Sequence, residues 1–496
     1  MGQCRVTTAT ILGVQAIPVD VEVDVGPGLP SFSVVGLPDI AVIEARERVR
    51  SALRASGYTV PSARIVVNLA PGPLRKHGTG FDLPIALGLL VATGQLPPGL
   101  LSGVAAVGEL SLDGGVREVP GVIAHALAAR SAGRSLLGPV NEVVAQAVRG
   151  LCYLPLAKLG YLRRGLPAPA APCAVAYPAR RYEEGSDFHD VVGQDLAARA
   201  LLVAAAGAHN VLMIGPPGSG KTMLARAMTS ILPPLTSEER IETALVQSVA
   251  GMDIRCALSG QRPFRAPHHS ASIAGLIGGG TNPAPGEVSL AHNGVLFLDE
   301  MPEFGPAALQ SLRQPIEDQK VVIARAQGRI TFPASFSLVG AANPCPCGFL
   351  GDPGRPCTCT PQAINRYRAR IGGPLMDRID MVLHVDPVAP ERFLKASGGA
   401  SSQSLLEQVL RAREWARKRG GTPVTTLSGS ELLYACALDE RSYAMLKSAA
   451  QTYHLTGRGI TRLLRVARTI ADLEQQERVS QGNLAEAFGY RADGPA

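Results

Sequence analysis

Residues 211–228, VLMIGPPGSGKTMLARAM, constrain this chain more than any other stretch. VLMI has strand composition and MLARAM has helical spacing. Between them Gly215, Pro216, Pro217, Gly218, Ser219, Gly220, Lys221 and Thr222 satisfy G-x-x-x-x-G-K-[ST]. The glycines let backbone N–H groups close around phosphate oxygens at a helix N-terminus. Lys221 is then placed for the β- and γ-phosphates of a nucleoside triphosphate, and Thr222 for magnesium. With 54 glycines in 496 residues, the pattern arises by chance in roughly one chain in a hundred.

About 80 residues downstream, GVLFLDE (294–300) is an apolar strand ending in two acids. Asp299 stands where a magnesium-holding carboxylate belongs, and Glu300 where a general base polarises the attacking water. SLVGAANP (337–344) is a further strand ending in Asn343. A polar side chain there orients the water beside Glu300; the bland reading is a turn-forming asparagine before proline.

A hydrophobic share of 46% and a charged share of 18% give material for sizeable cores and exclude a disordered chain. The net charge of +7, carried mostly by arginine, favours an anionic partner such as nucleic acid, or reflects an arginine-rich genome. The start MGQCRVTTAT has no apolar core behind a basic segment, and runs such as 83–93 are too short to span a bilayer. A cytoplasmic protein without membrane contact is expected. Nine cysteines, four of them clustered, point to metal or free thiols rather than disulfides.

Three domains and a connector are expected. Residues 1–162 read as mixed α/β: VDVEVDVG alternates as a strand, IAVIEARERVRSALRASG is helical, ARIVVNLA is a strand and DLPIALGLLVATG a buried helix. Residues 163–186 are a Pro/Ala-rich linker. Residues 187–395 alternate strands with helices, which implies a parallel sheet, and 396–496 carry only helical patterns.

DVVGQ, RPFRAPHHSAS, GEVSLAHNGVLFLDEMPEF, AANPCPCG, GPLMDRIDM and TGRGITRLLRVARTIADL, with the glycine-rich loop, carry a resemblance. The chain resembles the magnesium-chelatase-like AAA+ proteins, and within them the bacterial ComM (YifB) family of competence-associated DNA helicases. The resemblance implies an AAA+ P-loop α/β core with an all-α C-terminal lid. It implies ATP and Mg2+ as cofactors, branched or single-stranded DNA as partner, and a homo-hexameric ring. Arg378 in LMDRIDM is similar to an arginine finger that reaches a neighbouring subunit's ATP, and Arg458 in GRGITR to a sensor-2 arginine of the lid. The alternative for either is a surface salt bridge.

EDQKVVIARAQGRITFPAS (317–335) reads as a hairpin with its turn at Gln327–Gly328. In the resembling clade a hairpin here points into the ring pore. Arg325 and Arg329 flank the tip and suit phosphate contact; the alternative is a solvated hairpin end. Cys345, Cys347, Cys357 and Cys359 form C-P-C-x9-C-T-C, a set of four thiolates for tetrahedral zinc or else free structural thiols. His268 and His269 are metal ligands or, in the preferred reading, members of a loop near the nucleotide or a subunit contact.

HGTGFDLPIALGLL and GELSLDGGVREVPG resemble a Lon-protease-like (S5 domain 2-like) N-terminal domain. Proteolysis by that fold needs a serine and a lysine, and the matching positions here are Gly80 and Ile123. The expected domain is therefore inactive and assembles rings or contacts DNA, using Arg75, Lys76 and His77 unless these form only a solvated basic turn. Competing readings are a motor for metal insertion into a porphyrin, an ATP-dependent protease, and a scaffold that uses ATP only to assemble.

Overall fold

The computed structural model of the chain describes residues 2–171, 187–280, 283–325, 328–352, 354–388, 399–420 and 424–491. The alternation in VDVEVDVG fixes the first layer. Strand β1 (Gln3–Leu12) pairs antiparallel with β2 (Gln15–Gly26), Gln3 opposite Asp24. Val19, Val21, Val23 and Val25 are all buried, so one face of β2 is core. With β3 (Ser31–Val35), β4 (Arg64–Ala70), β5 (Val104–Ala106), the small hairpin β6 (Glu109–Leu110) and β7 (Val116–Arg117), then β8 (Ser135–Gly138) and β9 (Tyr153–Pro155), this half is strand-rich. Seven of these strands form a mixed sheet in the order β3-β4-β2-β1-β5-β8-β9.

Helix α1 (Ile40–Ala55) is started by Asp39, whose carboxylate accepts the Val42 N–H at 2.9 Å. In α2 (Asp82–Ala92) every residue is buried, as expected for DLPIALGLLVA. Gly88 allows α2 to approach β2 so closely that a Cβ there would lie 2.5 Å from Val23 Cγ2. Helices α3 (Val122–Ser131) and α4 (Glu142–Ala147) complete this unit. Residues 163–171 stay with it: the Arg163 guanidinium lies 4.9 Å from the Tyr58 ring centre and Leu166 packs on the core. The rest of the expected linker lies outside the described residues.

The second unit begins with α5 (Asp195–Gly207), β10 (Val211–Ile214), α6 (Lys221–Met228), α7 (Ser237–Val249) and α8 (Arg255–Leu258). Strands β11 (Phe264–Arg265), β12 (Gly278–Gly279), β13 (Ala284–Pro285), β14 (Gly294–Leu298), β15 (Lys320–Arg325), β16 (Gly328–Pro333), β17 (Phe336–Ala342) and β18 (Met381–His384) follow. Five of the second unit's strands form a wholly parallel sheet, β11-β14-β17-β10-β18. This is the sheet that strand–helix alternation implies. Its core runs on into a helical region in which helix Gly457–Leu473 buries Leu463, Leu464, Val466, Ala467, Ile470 and Ala471. Arg199 on α5 pairs with Glu486 of the last helix at 2.9 Å.

Among the described residues the two units touch at α3 and at the β1–β2 turn. Gly121 donates its N–H to the Ser248 carbonyl at 2.8 Å, and apolar residues of α3 share a core with Ala244 of α7 and Ala257 and Leu258 of α8. The β1–β2 turn rests on β16: a Cβ on Gly13 would lie 3.0 Å from the Thr331 carbonyl oxygen. Val14 beside it packs on the core that holds Val321 and Phe332.

Candidate active site

Parallel strands deliver their loops to one edge of the sheet, and the P-loop follows the interior strand β10 there. Gly215 passes Val385 so tightly that a Cβ would lie 2.1 Å from its carbonyl oxygen. Gly218 and Gly220 have φ of +78° and +88°, a region glycine adopts without strain. Helix α6 starts at Lys221 with no side-chain cap, so its first N–H groups face the loop. The Lys221 ammonium donates to the carbonyls of Gly215 at 2.8 Å and Pro216 at 2.9 Å. Burial holds its pKa below the ordinary lysine value.

Neighbouring strand ends bring in the remaining groups. The Thr222 hydroxyl donates to Asp299 Oδ2 at 2.8 Å. Glu300 sits in the left-handed region at φ +49°, unusual for a non-glycine residue, with its N–H on Asp299 Oδ1 at 2.9 Å. Asn343, at the end of β17 between β10 and β14, brings its Oδ1 to 3.4 Å from Lys221 Nζ. His269 Nδ1 lies 3.6 Å from Glu300 Oε2, which sets the PHHS loop beside the acids.

A hydroxyl and a carboxylate in contact fit a hard, octahedral cation such as Mg2+. The uncapped helix start, the glycine nest and Lys221 fit a triphosphate. Bound there, magnesium-ATP supplies a phosphoanhydride whose terminal phosphorus is open to water. Beside these groups stand a carboxylate, Glu300, of the type that can take a proton from such a water, and an amide, Asn343, of the type that can orient one.

Arg378 and Arg458 are not among these groups. Arg378 ion-pairs with Glu317 at 2.6 Å, and its backbone carbonyl accepts from Asn210, the residue before β10. The P-loop starts at the other end of that strand, five residues or about 16 Å away. Arg378 and Arg458 instead line a cavity of about 970 Å³ at the opposite edge of the sheet, with Arg262, Arg413, Arg462 and Arg465. Sequence reasoning missed Arg462, which donates to the carbonyls of Met376 at 3.0 Å and Ile379 at 2.7 Å and so grips the segment bearing Arg378. The signal was present: 458, 462 and 465 recur at helical spacing on one face.

Comparison with known proteins follows the same division. Family models described as "Subunit ChlI of Mg-chelatase", "Magnesium chelatase, subunit ChlI" and "Magnesium chelatase, subunit ChlI C-terminal" match residues 21–142, 187–393 and 399–491. "Competence protein ComM" of Haemophilus influenzae is 44% identical over 491 residues, 97% of this chain and 96% of that protein. "Uncharacterized protein YifB" of Salmonella typhimurium is 42% identical over 507 residues, 99% of this chain and 97% of that protein.

The chain belongs to the ComM/YifB family.

As a magnesium-chelatase-like AAA+ member of that family it is an ATPase motor that uses ATP and Mg2+. "Lon protease 2" of Bacillus subtilis is 30% identical over 184 residues, 32% of this chain and 33% of that protein, which supports the Lon-like resemblance. Gly80 lies in a one-turn helix against Val107, and Ile123 is fully buried in α3. Neither residue carries a nucleophile or a base.

The expected basic surface at 75–77 is corrected. Lys76 is fully buried and donates its ammonium to the carbonyls of Gly36 and Pro71, while His77 Nδ1 lies 3.5 Å from Asp39. A lysine used to tie two loops together is unavailable to phosphate, and Arg75 alone of the three is exposed. The 317–335 hairpin forms, with Ala324 paired to Arg329 and Arg325 to Gly328, so Gly328, expected in the turn, is the first residue of β16. Arg329 is exposed; the tip and the Arg325 side chain lie outside the described residues. The four cysteines converge, as set out below. No helix among the described residues is long and apolar enough to cross a membrane.

Proposed function

We propose that this family member is a cytoplasmic, ATP-driven ring motor, hexameric in its working form, that translocates on branched or single-stranded DNA. In this reading it is a branch-migration helicase that promotes integration of incoming DNA by recombination. The observation that carries the ring is the division of the site. The P-loop, Asp299, Glu300 and Asn343 occupy one edge of the sheet, and the arginine cavity holding Arg378 and Arg458 occupies the other. Arg378 is the proposed arginine finger and Arg458 the proposed sensor, both acting on the ATP of the next subunit. Closing a set of such heterologous contacts makes a ring.

DNA as the partner is supported by the competence relative's 44% identity over nearly the whole chain, by the net charge of +7, and by the exposed Arg329 beside the hairpin tip. ATP turnover compared without DNA, with linear DNA and with branched DNA tests the reading. Turnover rises most with branched DNA, and strands separate. An absence of DNA affinity at low salt overturns it and brings forward a magnesium-chelatase-type motor for metal insertion, which the family-model descriptions favour.

A further inference from the structure

Cys345, Cys347, Cys357 and Cys359 play no part in the proposed chemistry, yet they are the one group of three or more possible metal ligands found together among the described residues. Their ligand atoms lie within 4.8 Å of one another. The Sγ atoms of Cys345 and Cys347 are 3.3 Å apart, and each is 3.6 Å from Cys357 Sγ. A tetrahedral ion with metal–sulfur bonds of ~2.3 Å has ligand–ligand edges of about 3.8 Å. Three of the sulfurs stand slightly inside those edges, the fourth lies within 4.8 Å of them, and all four cysteines are unbridged. The loop they close, FLGDPGRP, offers little apolar surface to hold it folded.

The place of this cluster gives it a second meaning. Asn343 precedes Cys345 by two residues, and the helix Pro361–Ala369, with Tyr367 buried on it, leaves the cluster. Gly348, at φ +85°, lies against the P-loop itself: a Cβ there would be 2.7 Å from Pro217 Cδ. One short segment therefore touches the phosphate loop on one side and carries the residue beside Lys221 on the other.

We propose that the four cysteines bind one zinc ion, and that this ion braces the segment 343–348 against Pro217, so that nucleotide affinity depends on the metal. No bond is made or broken beyond coordination; binding releases the thiol protons. The proposal rests on the nucleotide reading of Lys221 and Thr222.

Metal analysis of the full chain, purified without chelators, gives about one zinc per chain. Removal of the metal by dialysis against 1,10-phenanthroline weakens binding of a fluorescent ATP analogue by about tenfold or more, and added zinc restores it. Gly348→Ala keeps its zinc but binds the analogue about tenfold more weakly, because the new methyl presses on Pro217. That variant keeps the test alive if stripped protein unfolds. Protein without metal, or with the visible absorbance of an iron–sulfur cluster, overturns the zinc site. Unchanged nucleotide binding by stripped protein or by Gly348→Ala overturns the brace. Zinc-loaded wild-type protein that binds no nucleotide refutes the reading of Lys221 instead.

Discussion

At the scale of single residues the site is a matter of which strand end supplies which group. Glu300→Gln keeps the shape and removes the base. ATP binding is unchanged, and turnover falls by about 10²–10⁴, measured as phosphate release at saturating ATP. Turnover like that of the wild type removes Glu300 from the role. Glu300, Asp299 and Lys221 were legible because their chemistry is local: a glycine pattern, an apolar strand and two acids need no knowledge of the fold. For Arg462 the helical spacing with 458 and 465 was legible but its task was not, because its partners Met376 and Ile379 lie 86 and 83 residues away in sequence. Lys76 misled for the opposite reason. A lysine between arginine and histidine reads as solvated until the carbonyls of Gly36 and Pro71 are seen around it.

At the scale of elements, periodicity did most of the work. The alternation of β2 and the unbroken apolar run of α2 each admit one burial pattern, and both are found. The β15–β16 hairpin was visible too, but Gly328, read as half of a Gln-Gly turn, is the first residue of β16 and pairs with Arg325. If this hairpin touches DNA, Arg325→Ala with Arg329→Ala lowers DNA-stimulated turnover and strand movement together and leaves basal turnover nearly unchanged. Each lost phosphate contact also lowers the log–log salt slope by roughly 0.7–0.9. A double variant that unwinds branched DNA like the wild type excludes the hairpin. Helix α3 carries a different prediction. Burial holds the His125 imidazole down to about 4, below the ordinary 6.5. Between those values the unfolded chain takes up a proton that the folded chain refuses, so stability is lost as pH falls from 6.5 towards 4. Chemical denaturation shows His125 contributing a loss of about 2 kcal/mol between pH 7 and pH 5, a loss missing in His125→Leu.

At the scale of the molecule the decisive quantity is the separation of Arg378 from its own P-loop. Under the proposed ring, Arg378→Ala binds nucleotide normally and loses about 10³-fold or more in turnover. Mixed with wild-type chains, it depresses activity beyond simple dilution, because each defective subunit silences its neighbour's site. A linear dependence on the wild-type fraction excludes shared sites. The parallel sheet was legible from strand–helix alternation and the C-terminal region from its unbroken helical patterns, whereas nothing local in the sequence reveals that α3 lies on α7.

That contact between the two units has a consequence for how they stay together. The Pro/Ala-rich connector holds the first unit close to α7 by covalent attachment, at an effective concentration of order millimolar. An interface with a dissociation constant as weak as ~0.1 mM is then still about nine-tenths closed. The contacts at Gly121, Ser248 and Gly13, with the apolar core that α3 shares with α7 and α8, therefore need no tight-binding hot spot to keep the units docked.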